Sequence, residues 1–211
     1  MKRSIKEKVL AIVLCCVLNF IPIFTCLSVK ADATITVYSQ TDSRWANHQY
    51  GYKNTAGTQK ATISSGGCGI LSYVNAVYYL NGKFIDPIYL ADWSVNHGYR
   101  INGVGTSLNL YKAFADSHGT KYNISYVGTT TSYSDLKNHL NDGGVAIGRV
   151  PGHLMAVVDY NSSNKSFLIL DSYKSNNRYT SQNGYTWQTE DSCRGREKLN
   201  FTTFILLKNR L

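Results

Sequence analysis

The sequence predicts an α+β domain in which helices come first and an antiparallel sheet follows. Three observations lead there. Between residues 69 and 140 apolar side chains recur at helical spacing, in runs opened by capping residues and closed by glycine. Beyond Gly144 the period changes, and "VAIGRV", "HLMAVVDY", "FLILDS" and "FTTFILLK" read as four strands. Helices and strands do not alternate, which argues against a parallel βαβ sheet.

The chain opens with a basic "MKRSIKEK", an apolar stretch interrupted by Asn19 and Pro22, and then "SVKADA". This is the layout of a signal peptide, residues 1–31, with cleavage after Ala31. An uncleaved membrane anchor is the alternative, since the apolar run is nearly long enough to span. Removal of 1–31 takes five cationic side chains and Glu7, so the formal charge of +9 falls to +5. No Lys/Arg stripe remains that would suit nucleic acid. The 180 residues 32–211 suffice for one domain, and they show no repeat or linker.

In that domain "TITVYS" alternates like a strand, and a polar, aromatic loop follows from Gln40. A helix is expected from Gly69 to the "NG" at Asn81-Gly82, which puts Cys68 at or just before its N-terminus. A second helix starts at Asp86, with Pro87 at the first helical position, and stops at Gly98. A third is capped by Thr106 or Ser107 and closed by Gly119, and a fourth follows Ser132. The polar stretch from Tyr173 to Lys198 is expected to be an excursion before the last strand.

Only Cys68 and Cys193 lie beyond the signal segment. In an exported protein one bridge between them is permissible. The glycines of "SSGGCGILSY" favour a thiol at Cys68, because they clear space through which another molecule's backbone could approach the sulfur. A helix N-terminus and a nearby imidazolium are the two common ways to activate such a thiol. Of the five histidines, His97 and His118 precede glycines expected to end helices, His139 is mid-helix and expected to be exposed, and His48 lies in the long loop. His153 begins a strand. If "NSSNK" is a five-residue hairpin loop, paired residue numbers sum to 326, Met155 faces Asp171, and His153 and Asp171 are diagonal neighbours. An even-length loop would put them on opposite faces. With that register Cys68 is the nucleophile, His153 the acid-base group and Asp171 its orienting carboxylate. Asp159, the rival carboxylate, lies at the turn end of its strand and is expected to face solvent.

The segments "SQTDSRWANHQYG", "GGCGILSYVNAVYYLNGKFIDPIYLADW", "NGVGTSLNLYKAFA", "GHLMAVVDYN" and "FLILDS" occur in an order that resembles the C39-like peptidases, a branch of the papain-like cysteine peptidases. The likeness runs from Val37 to Ser172. It implies a papain-like cysteine proteinase fold, N-terminal helices packed on a C-terminal antiparallel sheet, and a Cys68, His153, Asp171 triad. It also implies Gln40 as a side-chain donor to the oxyanion, although Gln40 lies 28 residues before the cysteine. The chain departs from the family pattern at Ile70, Leu154 and Ser172, none of which is a reacting group. Trp45 and Trp93 match aromatic positions and read as packing residues.

The resemblance implies a secreted amide hydrolase working through a thioester, with no cofactor or metal. Its substrate would be a peptide or protein, a cell-wall peptide included. No membrane partner is expected after signal cleavage, and the chain is expected to be a monomer. A related acyltransferase, or a binding module on a retired scaffold with Cys68 bridged or covered by "KSNNRYTSQNG", are the alternatives.

Overall fold

The computed structural model describes residues 35–51, 62–173, 183–195 and 199–211. The expected signal segment and most of "KSNNRYTSQNG" lie outside these residues.

Helix α1 (Ile63–Gly66) runs into α2 (Cys68–Asn81), followed by α3 (Pro87–Asn96). A two-stranded hairpin of β1 (Arg100–Ile101) and β2 (Gly105–Thr106) leads to α4 (Asn109–Tyr122), β3 (Ser125–Thr130) and α5 (Tyr133–Asn141). Then come β4 (Val145–Val150), β5 (His153–Asn161), β6 (Ser166–Leu170), β7 (Tyr185–Thr189), α6 (Glu190–Cys193) and β8 (Thr203–Lys208). Strands β3 to β8 form one antiparallel sheet in the order β3-β8-β4-β5-β6-β7.

The α+β class holds, with a layer more than the sequence suggested. Along β4, Val145 and Ile147 enter a core shared with α2, α3 and α4, while Ala146 and Val150 enter a second core shared with α5 and Cys193. Strands covered on both faces are apolar at nearly every position, as β6 "SFLIL" is, buried throughout. Helix α2 is buried from Gly69 to Val77, nine consecutive residues, so it is the central helix and not an amphipathic surface one.

Capping signals place the helix ends where the sequence puts them in three cases. Asp86 accepts from the N–H of Ile88, Ser132 accepts from the N–H of Asp135, and Gly82 closes α2 in the left-handed region at φ 73°. Helix α4 differs. Thr106 sits in β2, Ser107 Oγ accepts weakly from Asn109 N at 3.3 Å, and Gly119 is inside the helix. A Cβ on Gly119 would lie 2.5 Å from the carbonyl oxygen of Ile124, so glycine is there for close approach; Asn123, at φ 51°, ends the helix.

Two further expectations are corrected. Residues 35–39 form no strand: both backbone groups of Tyr38 bond the side-chain amide of Asn75 on α2, at 2.7 and 3.0 Å, in place of a neighbouring strand. The stretch after Tyr173 includes strand β7 and helix α6, and β3 was not evident in the sequence at all. β3 and β7 are the edge strands, whose mixed, half-exposed residues give a weak apolar signal.

Candidate active site

Cys68 is the first residue of α2, where backbone N–H groups have no acceptor within the helix. A capping box between Thr62 and Ser65 fixes α1, and Gly67 turns the chain directly into α2. The glycines around Cys68 admit the protein's own groups, not those of another molecule. A Cβ at Gly66 would meet the Arg100 guanidinium at 2.8 Å, one at Gly67 the Ile63 carbonyl at 2.5 Å, and one at Gly69 the Thr106 side chain at 2.5 Å. The reading of an open approach is therefore replaced by tight packing behind the sulfur. Arg100 lies over the Tyr50 ring at 4.6 Å, and Tyr50 bonds Thr106 at 2.8 Å, so the loop, the hairpin and the start of α2 are tied together.

His153 opens β5, and its Nε2 lies 2.7 Å from Asp171 Oδ1. Asp171 is fully buried, and the same oxygen accepts from Tyr173 N at 2.9 Å. The pairing arises by a route the sequence did not reveal. At the turn Asn161 pairs with Ser166, which leaves an even, four-residue loop and moves the register by one from the expected Tyr160 pairing. A bulge between Val157 and Asp159 takes up that residue, so Ala156 pairs with Leu170 and the sum of 326 is restored. His153 and Asp171 thus meet because two departures cancel.

Burial works against the charged imidazole. The hydrogen bonds from Asp171 and Cys68, with the negative charge of both, outweigh it and raise His153 to about 10. Since Nε2 is committed to Asp171, Nδ1 is the nitrogen left for the Cys68 sulfur.

Gln40 is 5 % exposed and is held at three points. Its N–H donates to Ser172 O at 2.8 Å, its Oε1 accepts from Ser172 Oγ at 3.0 Å, and its Nε2 donates to Ser64 O at 2.7 Å. It therefore bridges the residue after Asp171 and the helix before Cys68, which leaves one amide hydrogen for another acceptor. The holding roles of Ser172 and Asn75 in this segment escaped the sequence reading, which named Ser172 only as a departure from the family pattern. For Asn75 the signal was a polar residue in an apolar helix.

The other candidates separate from this group. Asp159 is half-buried, not solvent-facing, and lies 3.4 Å from the Tyr79 hydroxyl. His97 stacks on Trp93 at 4.1 Å, His118 stacks on Phe114 at 4.3 Å, and His48 pairs with Asp92. His139 is half-buried where exposure was expected, because its Nε2 reaches the carbonyls of Val145 and Leu207 at 3.1 and 2.8 Å. Trp45 is buried, with its indole N–H on Ser39 O, and Trp93 lies against the main core.

Cys68 and Cys193 are both free. They belong to different cores, on opposite faces of the sheet, and burial pushes the Cys193 thiol up to about 12. Among the described residues no group of three or more His, Cys, Asp or Glu side chains could hold a metal, and no helix is long and apolar enough to cross a membrane.

Cys68 and His153 line one cleft of about 300 Å³. One wall is the β1–β2 hairpin and its exit, residues 101–108, and the other is the β4–β5 turn, with Arg149, Gly152 and Leu154. A nucleophile at a helix start, an imidazole in reach of it and a buried carboxylate behind the imidazole can together open an acyl bond.

The family model of the Peptidase_C39 like family matches residues 34–192, about three quarters of the chain. Among solved structures, the peptidase domain of Streptococcus ComA, a bi-functional ABC transporter involved in quorum sensing, is similar at 16% identity and a TM-score of 0.46. The match covers 68% of this chain and 91% of that one. No curated protein matches the sequence.

Proposed function

Because the chain belongs to the Peptidase_C39 like family, we propose that it is a cysteine peptidase in which Cys68, His153 and Asp171 act as a catalytic triad. The observation that carries this reading is the imidazole bonded at Nε2 to a fully buried carboxylate, with its other nitrogen left for a sulfur at a helix start.

In this reading the resting site is a Cys68 thiolate beside a His153 imidazolium. The sulfur adds to the carbonyl carbon of the scissile amide, and the carbonyl pair moves onto oxygen. The backbone N–H of Cys68 and the second amide hydrogen of Gln40 stabilise that oxyanion. As the carbonyl re-forms, the C–N bond breaks and His153 Nδ1 gives its proton to the departing amine. A thioester remains. Water then attacks it, yielding its proton to Nδ1, and the C–S bond breaks to release the acid and restore the ion pair. Asp171 keeps Nε2 protonated throughout, so that Nδ1 is always the nitrogen that exchanges protons.

The substrate class is a peptide or protein, and the protein acts outside the cell after loss of residues 1–31. The apolar, cation-headed N-terminal sequence supports export, and N-terminal sequencing of the protein from culture medium tests it. Hydrolysis is tested by incubating a defined peptide mixture with the protein and following products by mass spectrometry. The wild type is expected to cleave a subset, with Cys68→Ala and His153→Ala silent. Cleavage that survives Cys68→Ala, or Cys68 alkylation as fast in His153→Ala as in the wild type, overturns the mechanism.

A further inference from the structure

We propose that Arg149 is the specificity determinant of this cleft, selecting peptides that carry a carboxylate beside an aliphatic side chain. The inference rests on the peptidase reading of Cys68 and His153 and goes on to name what that site accepts. Arg149 is the penultimate residue of β4, four positions before His153, and its side chain lines the cleft that Cys68 and His153 also line.

Its backbone is pinned on both sides. It pairs with Leu154 in β5 and Thr203 in β8, and its carbonyl accepts from Thr202 N at 2.9 Å and from Thr202 Oγ1 at 3.3 Å. Its guanidinium is exposed, and among the described residues no group accepts a hydrogen bond from it. Three other described arginines are engaged, Arg44 with Asp42, Arg194 with Glu190 and Arg100 with Gly66 O, whereas Arg210, near the C-terminus, is exposed like Arg149 but does not line the cleft. A rigidly based guanidinium lining a cleft, with its donors unengaged among the described residues, suits a planar anion.

The rest of the lining sets the partner's character. It includes no Asp or Glu, and since the His153 imidazolium is already matched by Asp171 and Cys68, Arg149 is the cationic side chain of the lining that lies outside that group. An exposed cation in the lining attracts an anionic ligand group. On the opposite wall Ile101 is 45% and Val104 77% exposed, and Leu108 and Leu154 lie along the same lining. Exposed aliphatic side chains sharing a cleft with a cationic one call for a ligand that carries both apolar and anionic groups. The carboxylate could be an acidic side chain or a chain terminus, and these are separable by experiment.

The probes are internally quenched octapeptides carrying one Val and one Glu moved through successive positions, each with a Gln counterpart. One further pair ends in a free carboxylate or an amide. Cleavage is measured with the wild type and Arg149→Gln, and binding by fluorescence anisotropy with Cys68→Ala. In at least one register the wild type is expected to favour Glu over Gln about tenfold in kcat/KM, the scale of one charge-assisted hydrogen bond. The Glu/Gln ratio is expected to fall to about one in Arg149→Gln and to shrink with added salt. If only the free-carboxylate peptide shows the ratio, the anion recognised is the terminus. Equal rates for Glu and Gln peptides and for the terminal pair, or a ratio that survives Arg149→Gln, overturn the assignment and leave the peptidase reading standing. Arg149-dependent binding of acidic peptides without any cleavage keeps the anion site and overturns the peptidase reading. Neither cleavage nor binding overturns both. Equal melting temperatures of wild type and Arg149→Gln check that the exposed substitution leaves the fold intact.

Discussion

Asp171→Asn separates the electrostatic part of the site from its shape. His153 stands at about 10 against an ordinary 6.5, although burial alone would lower it. That gap is roughly 5 kcal/mol of preference for the imidazolium. Two anions oppose the burial, the Asp171 carboxylate and the Cys68 sulfur, so roughly half, about 2 kcal/mol, is assigned to Asp171. An asparagine can still accept from His153 Nε2 and Tyr173 N through its carbonyl oxygen, but it brings no charge. Its NH₂ group takes the place of Oδ2, a buried atom with no hydrogen-bond partner among the described residues, and an unsatisfied donor there costs about 1–3 kcal/mol of stability. The assay is iodoacetamide alkylation of Cys68 at pH 6, read by peptide mass, with a urea melt alongside. Loss of about 2 kcal/mol weakens the imidazolium that holds the thiolate and predicts alkylation slowed by up to about thirtyfold. Unfolding is told apart by Cys193, which is buried in the native protein and would become labelled only if the variant unfolds. Alkylation of Cys68 at the wild-type rate, in a variant that melts cooperatively, refutes the ion-pair reasoning.

Asn75→Ala strips both partners from the Tyr38 backbone. It is expected to cost about 2–4 kcal/mol in chemical denaturation and to lower cleavage further than stability alone explains, since Gln40 sits two residues on. Gly69→Ala drives a methyl group into Cβ and Oγ1 of Thr106 and should destabilise by about 1–3 kcal/mol in chemical denaturation. Native-state alkylation should mark Cys68 alone, and Cys193→Ala should leave peptide cleavage intact while costing about 1–2 kcal/mol of stability as a small buried side chain. The His153 contribution to stability is fully present below 6.5, declines as pH rises towards about 10 and is absent above that, because the folded form holds its proton more tightly than the unfolded one. Urea melts at pH 6, 8 and 10.5 should fall in that order, and the fall should disappear in His153→Ala.

The sequence by itself determined the local structure around Cys68. Cap and stop residues are short-range instructions, so Cys68 at the start of α2, the Asp86-Pro87 entry to α3 and the Ser132 cap of α5 could all be read without a fold. It also determined which histidine and which carboxylate lie on adjacent strands. The tertiary structure decided the rest. The bulge in β5 that brings His153 back into register with Asp171 follows from how the strand packs, and no residue type announces it. The exclusion of a Cys68–Cys193 bridge depends on the sheet lying between the two cores. The glycines beside Cys68 seemed to open space, yet that space is filled by Arg100, Ile63 and Thr106, groups 34, 4 and 37 residues from the glycines they touch. Residues 35–39 alternate as a strand does, but whether such a segment joins a sheet depends on what lies beside it, and here it is a single asparagine of a buried helix.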